Sequence, residues 1–557
     1  MKKFFSQKWE DRLFCMFAAL IGTISFVILY GIKILNTGYD DWLFIGGDLT
    51  QHYLGWLYYR KGDWTFPFGL TDRLAYPSYT SVIYTDSIPI FAVIFKILSP
   101  FLPDKFQYFG IWGIMCFILQ AFFAYKTCQE FKIGKLNSLI VCLFFVFSPA
   151  AHAKLYKHTA LGGHWIVLFA IYLFSRHKKD YKNIVKSSSL WALMALLISS
   201  IHMYYLPMCG IFLVGYVFCS LFIDKKVEIK YFCPLISFIT VLFINTYLLG
   251  GFSSSSDFSA DGLGECSFNL NSFFSNKGYS RWLPSLPKRF DLQYEGFAYL
   301  GMGMIFLLAF FVITFIIISV SNKKLFNLKN IERDTLAYSI SYLVMCLIMV
   351  ILAASPVVTF GDRILFTFPD IDIIMKCWSV FRSSGRLIWP VMYLIFFGLI
   401  CWTQNNQLFK SNNMIVTVIF AITVVLQLYD LEPKLGDTYS YFRKDFVYSS
   451  SFKGDIWDKL TKCDNIKHVI LVSNDYENSE LLRFAMWADE NDYTINRFYF
   501  ARGIDVRENT KYSMEHLNDE SIYVFKNQEV ELMKQYYLNY YSDGEYTIGL
   551  FFDLETE

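Results

Sequence analysis

A Gly-Gly-Asp turn, Gly46-Gly47-Asp48-Leu49-Thr50-Gln51-His52, is followed by a stretch that reads as a helix over residues 46–60. On that helix Asp48, Gln51 and His52 share one face at spacings of three and four, and Trp56 and Tyr59 continue it. A carboxylate can take a proton from a hydroxyl. Aromatic rings below it offer an apolar surface to the C–H face of a sugar. A second reading of Asp48 is a helix cap after the glycine turn, and one Asp can serve both purposes.

Three further groups hold residue types suited to chemistry. The segment Ser148 to Trp165 gathers His152, Lys154, Lys157, His158 and His164 in a short space. Such a cluster suits an anionic headgroup. Its spacing matches no zinc-protease pattern, and interfacial Lys, His and Trp also anchor helix ends. The run Phe381-Arg382-Ser-Ser-Gly385-Arg386 brings two Arg into the start of an apolar stretch. The planar fork of Arg suits phosphate. Pairing with the carboxylates of Asp362, Asp370 or Asp372 is the alternative. Glu295, in Gln293-Tyr294-Glu295-Gly296, stands at the entrance of another apolar stretch. There it serves as a second acid, as an acceptor for sugar hydroxyls, or as a carboxylate favoured by a helix dipole.

The elements that must position these residues are membrane spans. The chain is 55% hydrophobic and 18% charged, with 57 Phe and 38 Tyr, and apolar runs of spanning length recur along it. The expected spans lie near residues 14–34, 106–127, 136–150, 160–175, 189–205, 207–223, 232–249, 300–321, 336–354, 386–403 and 414–428, eleven in all. Lys and Arg are far denser in segments 1–13, 128–135, 176–188, 224–231, 322–335 and 404–413 than in the intervening loops. The positive-inside rule therefore puts the N-terminus in the cytoplasm. It also makes 86–103, with its prolines at 89, 100 and 103, an interfacial or re-entrant helix. On this reading Asp48 and Asp86 lie in a carboxylate-rich first outer loop, 35–105. Such a loop suits an enzyme working at the membrane face.

Residues 430–557 read as a soluble outer domain. Apolar β-like runs at 467–472, 493–500, 521–525 and 546–551 alternate with helix-like stretches at 476–488 and 528–541, the pattern of a small α/β domain. It carries no Gly-rich phosphate loop. The first apolar run has no cleavage site behind it and reads as a retained helix. The loop 250–299 opens on Ser253-Ser-Ser-Ser, a flexible composition. Most of the twelve Cys lie in apolar segments; Cys266, Cys377 and Cys463 are the ones outside, where a disulfide is conceivable.

The layout resembles the GT-C superfamily of membrane glycosyltransferases. Within it, Gly47-Asp48-Leu-Thr-Gln51-His52-Tyr-Leu-Gly55-Trp56, Tyr84-Thr-Asp86-Ser-Ile-Pro89, Tyr294-Glu295-Gly-Phe-Ala-Tyr299 and Phe381-Arg382-Ser-Ser-Gly385-Arg386 resemble a bacterial group of uncharacterised members. The resemblance implies an α-helical polytopic fold over 1–429, with an extracytoplasmic α/β domain over 430–557. It implies a place in the bacterial inner membrane. It also implies inverting sugar transfer from a polyprenyl-phosphate-linked donor to an envelope glycan such as the O-antigen of lipopolysaccharide. Asp48 maps onto the base, and Arg382 or Arg386 onto the holder of the lipid phosphate. His52, Gln51, Trp56, Asp86, His158, His164 and Glu295 are then candidates for binding substrate. Many relatives carry an acidic residue in the second outer loop, where this chain has His158 and His164. Few carboxylates converge, so no divalent metal or other cofactor is called for.

Two other classes compete. A membrane acyltransferase would use a His–carboxylate pair, which His52 and Asp48 could imitate. A lipid-linked glycan transporter needs ionisable residues inside its spans, and these spans hold almost none centrally. A non-enzymatic assembly factor would lean on the C-terminal domain.

Overall fold

Apolar runs of this length bury their own backbone polar groups best as helices, and helix accounts for 61% of the chain in the computed structural model. The structure describes residues 2–253, 262–321, 332–406, 408, 412–450, 452–501, 506–527 and 533–554. The Ser-rich opening of the 250–299 loop, after Ser253, and most of segment 322–335 lie outside the described residues.

Among the described residues ten helices are long and apolar enough to cross a membrane. They are Trp9–Tyr30, Phe109–Glu130, Lys135–Lys154, Ile184–Ile201, Tyr205–Asp224, Ile229–Leu248, Met302–Val320, Arg333–Ala354, Ser384–Gln404 and Asn413–Tyr441. The shortest gives about 27 Å of helix, close to the thickness of bilayer hydrocarbon.

The expected span 160–175 departs from the prediction. Its helix covers only Trp165–Ser175, 11 residues, or about 16 Å. It begins inside the bundle, where the His164 ring lies 4.2 Å from the Trp389 ring. It ends in charges, with Arg176 bonded to Asp180 and Glu130. Before it the chain turns back into the bundle through the short helix Pro149–Lys154 and the turn Thr159–Gly162. The Ser148–His164 cluster is therefore folded inward. The helix Pro89–Leu98 has 10 residues and is too short to cross.

The bundle has two polar ends. One gathers Glu130, Lys135, Arg176, Lys178 and Asp334. The other carries the loops around Asp48, His158, Glu295 and Arg386.

The C-terminal residues form a five-stranded mixed sheet in the order Thr494–Ile495, His468–Leu471, Ser521–Lys526, Tyr546–Leu550, Asn539–Ser542. The first three strands run parallel and the last two pair antiparallel. Helix Asn478–Glu490 falls where a helix was expected. The expected helix at 528–541 does not: its first five residues lie outside the described set, and Asn539–Ser542 pairs with Tyr546–Leu550 as a hairpin. Tyr540 and Tyr541 favour that pleated surface. The last long helix also continues past residue 430, to Tyr441. Cys266 is a free thiol, and the Cys463 thiol donates to the Lys459 carbonyl at 3.4 Å. The side chain of Cys377 lies outside the described residues.

The sheet domain sits directly on the first loop. Tyr58 Oη donates to the Ala485 carbonyl at 2.7 Å, Lys61 pairs with Asp489 at 2.8 Å, and Arg73 pairs with Asp492 at 2.7 Å. Tyr76 stacks on His468 with ring centroids 3.8 Å apart. One apolar core runs through the bundle, the first loop and the inner side of the sheet.

Candidate active site

Gly46 and Gly47 take φ of 86° and 66°, a left-handed turn that side chains resist. Helix Gly47–Lys61 starts there with Gly46 at the cap position, and no side chain caps it. Thr50 braces the turn instead, accepting from Gly46 N at 2.8 Å and donating to the Leu43 carbonyl at 2.7 Å. Asp48 is thus freed from the capping role that the sequence also allowed.

Asp48 faces His158, with Oδ2 2.9 Å from Nδ1, while Oδ1 accepts the phenol of Tyr499 at 2.8 Å. His158 Nε2 lies 3.5 Å from Glu295 Oε1. Glu295 in turn accepts two bonds from Arg386, at 2.7 Å from Nε and 2.9 Å from Nη2, and one from Lys154 at 2.6 Å. Two glycines let these strands of chain meet. A Cβ on Gly385 would come within 2.7 Å of Gly296 Cα, and one on Gly296 within 2.6 Å of Phe268 Cα. Residues beside Glu295 and Arg386 are therefore held in backbone contact, and the ion pair closes beside them. Five separated segments, including one from the sheet domain, contribute to this array.

Its charges are shaped by burial. Burial pushes the Asp48 carboxyl up, but the hydrogen bond and charge of His158 and the Tyr499 hydrogen bond outweigh it and hold Asp48 below its usual range. Burial also opposes ionisation of Glu295, and Arg386 and Lys154 hold it well below the usual carboxylate range. Asp48 and His158 each keep a quarter of the side chain exposed, so this part of the array opens to the surface.

Lys277 lies beside the array with φ of 47°. Its Nζ donates to the Gln293 carbonyl at 3.2 Å and sits 5.6 Å and 5.2 Å from the rings of Tyr294 and Phe297. Among the described residues it has no carboxylate within 4.0 Å. Burial, then the charge of Lys154, lowers its pKa to about 7. Arg382 is exposed, and its charge reaches Tyr499. Glu295 is already shared by two cations, so the neighbourhood carries a surplus of positive charge.

The remaining sequence candidates are placed differently. His52 is buried, with Nδ1 3.0 Å from Thr159 Oγ1 and Nε2 without a partner. Burial lowers its pKa to about 4, so it is neutral at pH 7. It does not pair with Asp48. Gln51 is buried beside it, its amide nitrogen also unpartnered. Trp56 is no stacking platform. It is fully buried and its indole donates to the Phe106 carbonyl at 3.0 Å. The helix that looked two-faced in sequence is enclosed, because the sheet domain covers what would have been its outer side. His164 lies deeper in the bundle, 2.8 Å from Tyr393 Oη and away from Asp48. Asp86 pairs with His202 at 3.6 Å. Arg386 finds Glu295, not Asp362, Asp370 or Asp372. Lys154, readable as an interfacial anchor, is a member of the array.

Sequence reasoning missed Tyr499, Lys277 and His202. The turn at 202–206 holds no other charge to mark His202, Lys277 is one of several cations in its loop, and Tyr499 is one of 38 Tyr. Among the described residues no group of three or more His, Cys, Asp or Glu is placed to hold a metal ion.

A family model described as "Domain of unknown function (DUF6311)" matches residues 19–432, and a second, "DUF6311 C-terminal domain", matches residues 456–550. The chain belongs to the DUF6311 family. No curated protein matches it. The array in this DUF6311 chain draws on both matched regions: Asp48, His158, Glu295 and Arg386 fall in the first, and Tyr499 in the second.

Proposed function

We propose that this DUF6311 protein is a polytopic inner-membrane glycosyltransferase of the GT-C type, carrying sugar from a polyprenyl-phosphate donor to an envelope glycan on the outer face. The observation that carries this reading is the convergence of Asp48, His158, Glu295, Arg386 and Tyr499 at one partly open point at the end of an apolar bundle.

In this reaction the acceptor hydroxyl attacks the anomeric carbon of the donor. Its proton passes to Asp48, the bond from the anomeric carbon to the phosphate oxygen breaks, and the electron pair leaves with the phosphate. His158 and Tyr499 hold Asp48 in place. The leaving group is already an anion, so stabilising its charge matters more than protonating it. Arg386 is committed to Glu295 by two bonds, so the phosphate falls to Arg382 and Lys277. A lipid-linked donor reaches such a site sideways from the bilayer, with no nucleotide pocket.

The test compares envelope glycans by mass spectrometry from cells making the wild-type chain, Asp48→Asn, or neither. A hexose-sized increment, present with wild type and reduced about 10²–10⁴-fold by Asp48→Asn, is expected. Full transfer by Asp48→Asn removes the base assignment. The close Asp48–His158 pair is the one observation that favours membrane acyl transfer instead, and an acyl-sized increment is its mark.

A further inference from the structure

The backbone at residues 86–88 is strained. Asp86 and Ile88 both take left-handed φ, 52° and 53°. For a β-branched residue such as Ile this is a real outlier, and outliers of this kind persist where the surroundings enforce them, often at functional sites. Here the enforcement is visible. Ser87 Oγ donates to the His52 carbonyl at 2.7 Å and the Ser87 carbonyl accepts the Tyr108 phenol. Thr85 and Ser87 hydroxyls bond each other at 2.7 Å, and helix Gly47–Lys61 leaves room for them at Gly55, where a Cβ would meet Thr85 Cβ at 2.3 Å.

The product of this clamp is the placement of one carboxylate. Asp86 Oδ1 lies 3.6 Å from His202 Nε2, and the two side chains remain 20% and 12% exposed. His202 Nδ1 accepts the Tyr204 amide at 3.1 Å, which leaves Nε2 as the donor toward Asp86. The contact is long for a charge-assisted bond, so Asp86 keeps acceptor capacity unused. The Tyr204 ring also stacks on the Arg386 guanidinium at 4.6 Å, which ties this pair to the Asp48 array. The charges of both Asp86 and Asp48 reach His52, which has one ring nitrogen buried and unpartnered. An unsatisfied buried polar atom calls for an explanation, and a bound ligand or water is one.

We infer that Asp86 and His202 form a second polar subsite, which grips hydroxyls of a neutral sugar while Asp48 serves the reacting one. The inference rests on the glycosyl-transfer reading for the second clause only. Carboxylate and imidazole together offer one strong acceptor and one donor, the complement of adjacent hydroxyls on a pyranose. Asp86 and His202 are binding residues on this account, distinct from the base.

The test uses the purified full chain in lipid nanodiscs, titrated with methyl α- and β-glycosides of the common hexoses, with thermal stability as the readout. Asp86→Asn keeps the size and tolerates the left-handed backbone, and His202→Gln is the second variant. Wild type is expected to bind at least one glycoside. Asp86→Asn should weaken it about tenfold or more, and His202→Gln by a smaller factor. Equal binding by wild type and Asp86→Asn overturns the inference, and so does the failure of every glycoside to bind wild type. Asp86-dependent sugar binding without any hexose increment in cells leaves the subsite standing and removes the transfer reaction instead.

Discussion

The two polar ends of the bundle use the same residue types in opposite ways. At one end Glu130 takes Arg176 at 3.3 Å and Lys179 at 2.5 Å, while Asp180 takes Arg176 and Lys186. At the other, Glu295 takes Arg386 at 2.7 Å and Lys154 at 2.6 Å. Each Glu is flanked by an Arg and a Lys. The difference is water. The two carboxylates are alike, 7% exposed at Glu130 and 4% at Glu295, and it is their cations that differ: Lys179 is 62% and Arg176 21% exposed, against 6% for Lys154 and 9% for Arg386. Exposed pairs gain little, because solvent screens them and competes for both partners. A buried carboxylate between two buried cations costs much to assemble and more to break. The lesson is that ion pairs alone do not mark a site. What sets the Glu295 end apart is a buried ion pair beside an opening, with a further cation and a second carboxylate in reach.

The largest expected effect tests that contrast directly. Glu295→Gln strands Arg386 and Lys154 in a buried place without a counter-charge, and should cost about 3–5 kcal/mol. Glu130→Gln lets Lys179 return to water and leaves Arg176 with Asp180, so it strands no cation and should cost clearly less than Glu295→Gln. Thermal midpoints of the two purified variants in one detergent measure this. Equal shifts would break the comparison, since burial would then not separate the two ends.

A smaller effect concerns the surplus cation. Burial and Lys154 bring Lys277 to about 7. Lys is charged below its pKa, so affinity for an anionic ligand should be full in mild acid and fall as pH rises through 7. A prenyl-phosphate sugar is a suitable probe, because a phosphodiester does not titrate there. The expected loss is about tenfold per pH unit above 7. Lys277→Arg stays charged and should bind with no such fall. Wild-type affinity that is flat from pH 6 to pH 9 would detach Lys277 from any anion.

Much of the architecture could be read from the chain before folding, and the reasons are local. Long helices follow from apolar runs of spanning length, and the Gly46-Gly47-Asp48 turn marked Asp48 because glycine pairs and a following carboxylate are short-range signals. The His and Lys cluster at 152–164 was visible for the same reason. What composition could not reveal was pairing. Glu295 meets Arg386, Lys154 and His158 only because the 148–164 segment folds inward and two glycines let 296 and 385 touch. Trp56 was misread because it packs on Phe106 and Tyr108, and a partner 50 residues further along the chain leaves no mark on the helix face. The short helix Trp165–Ser175 passed for a full span because hydropathy counts apolar residues and is blind to where a helix begins.

Tyr499 gives the finest test of how the two matched regions work together. Among the described residues its phenol is the contact by which the sheet domain touches the Asp48 carboxylate, and that hydrogen bond helps hold Asp48 below its usual range. Tyr499→Phe removes the bond and keeps the ring. Asp48 must be ionised to accept a proton, so a higher pKa moves the acid side of the pH–activity curve toward neutral pH. Transfer at pH 7 should fall by at most about ten- to a hundredfold, since one hydrogen bond to a charged group is worth about 1.5–3 kcal/mol and His158 remains. A curve whose acid limb stays in place, with activity lowered evenly at every pH, would make Tyr499 a packing residue. A limb that moves would make the sheet domain part of the site's electrostatics, in contrast to the opposite end of the bundle, where each described carboxylate is held by neighbours from the helices and turns of the bundle itself.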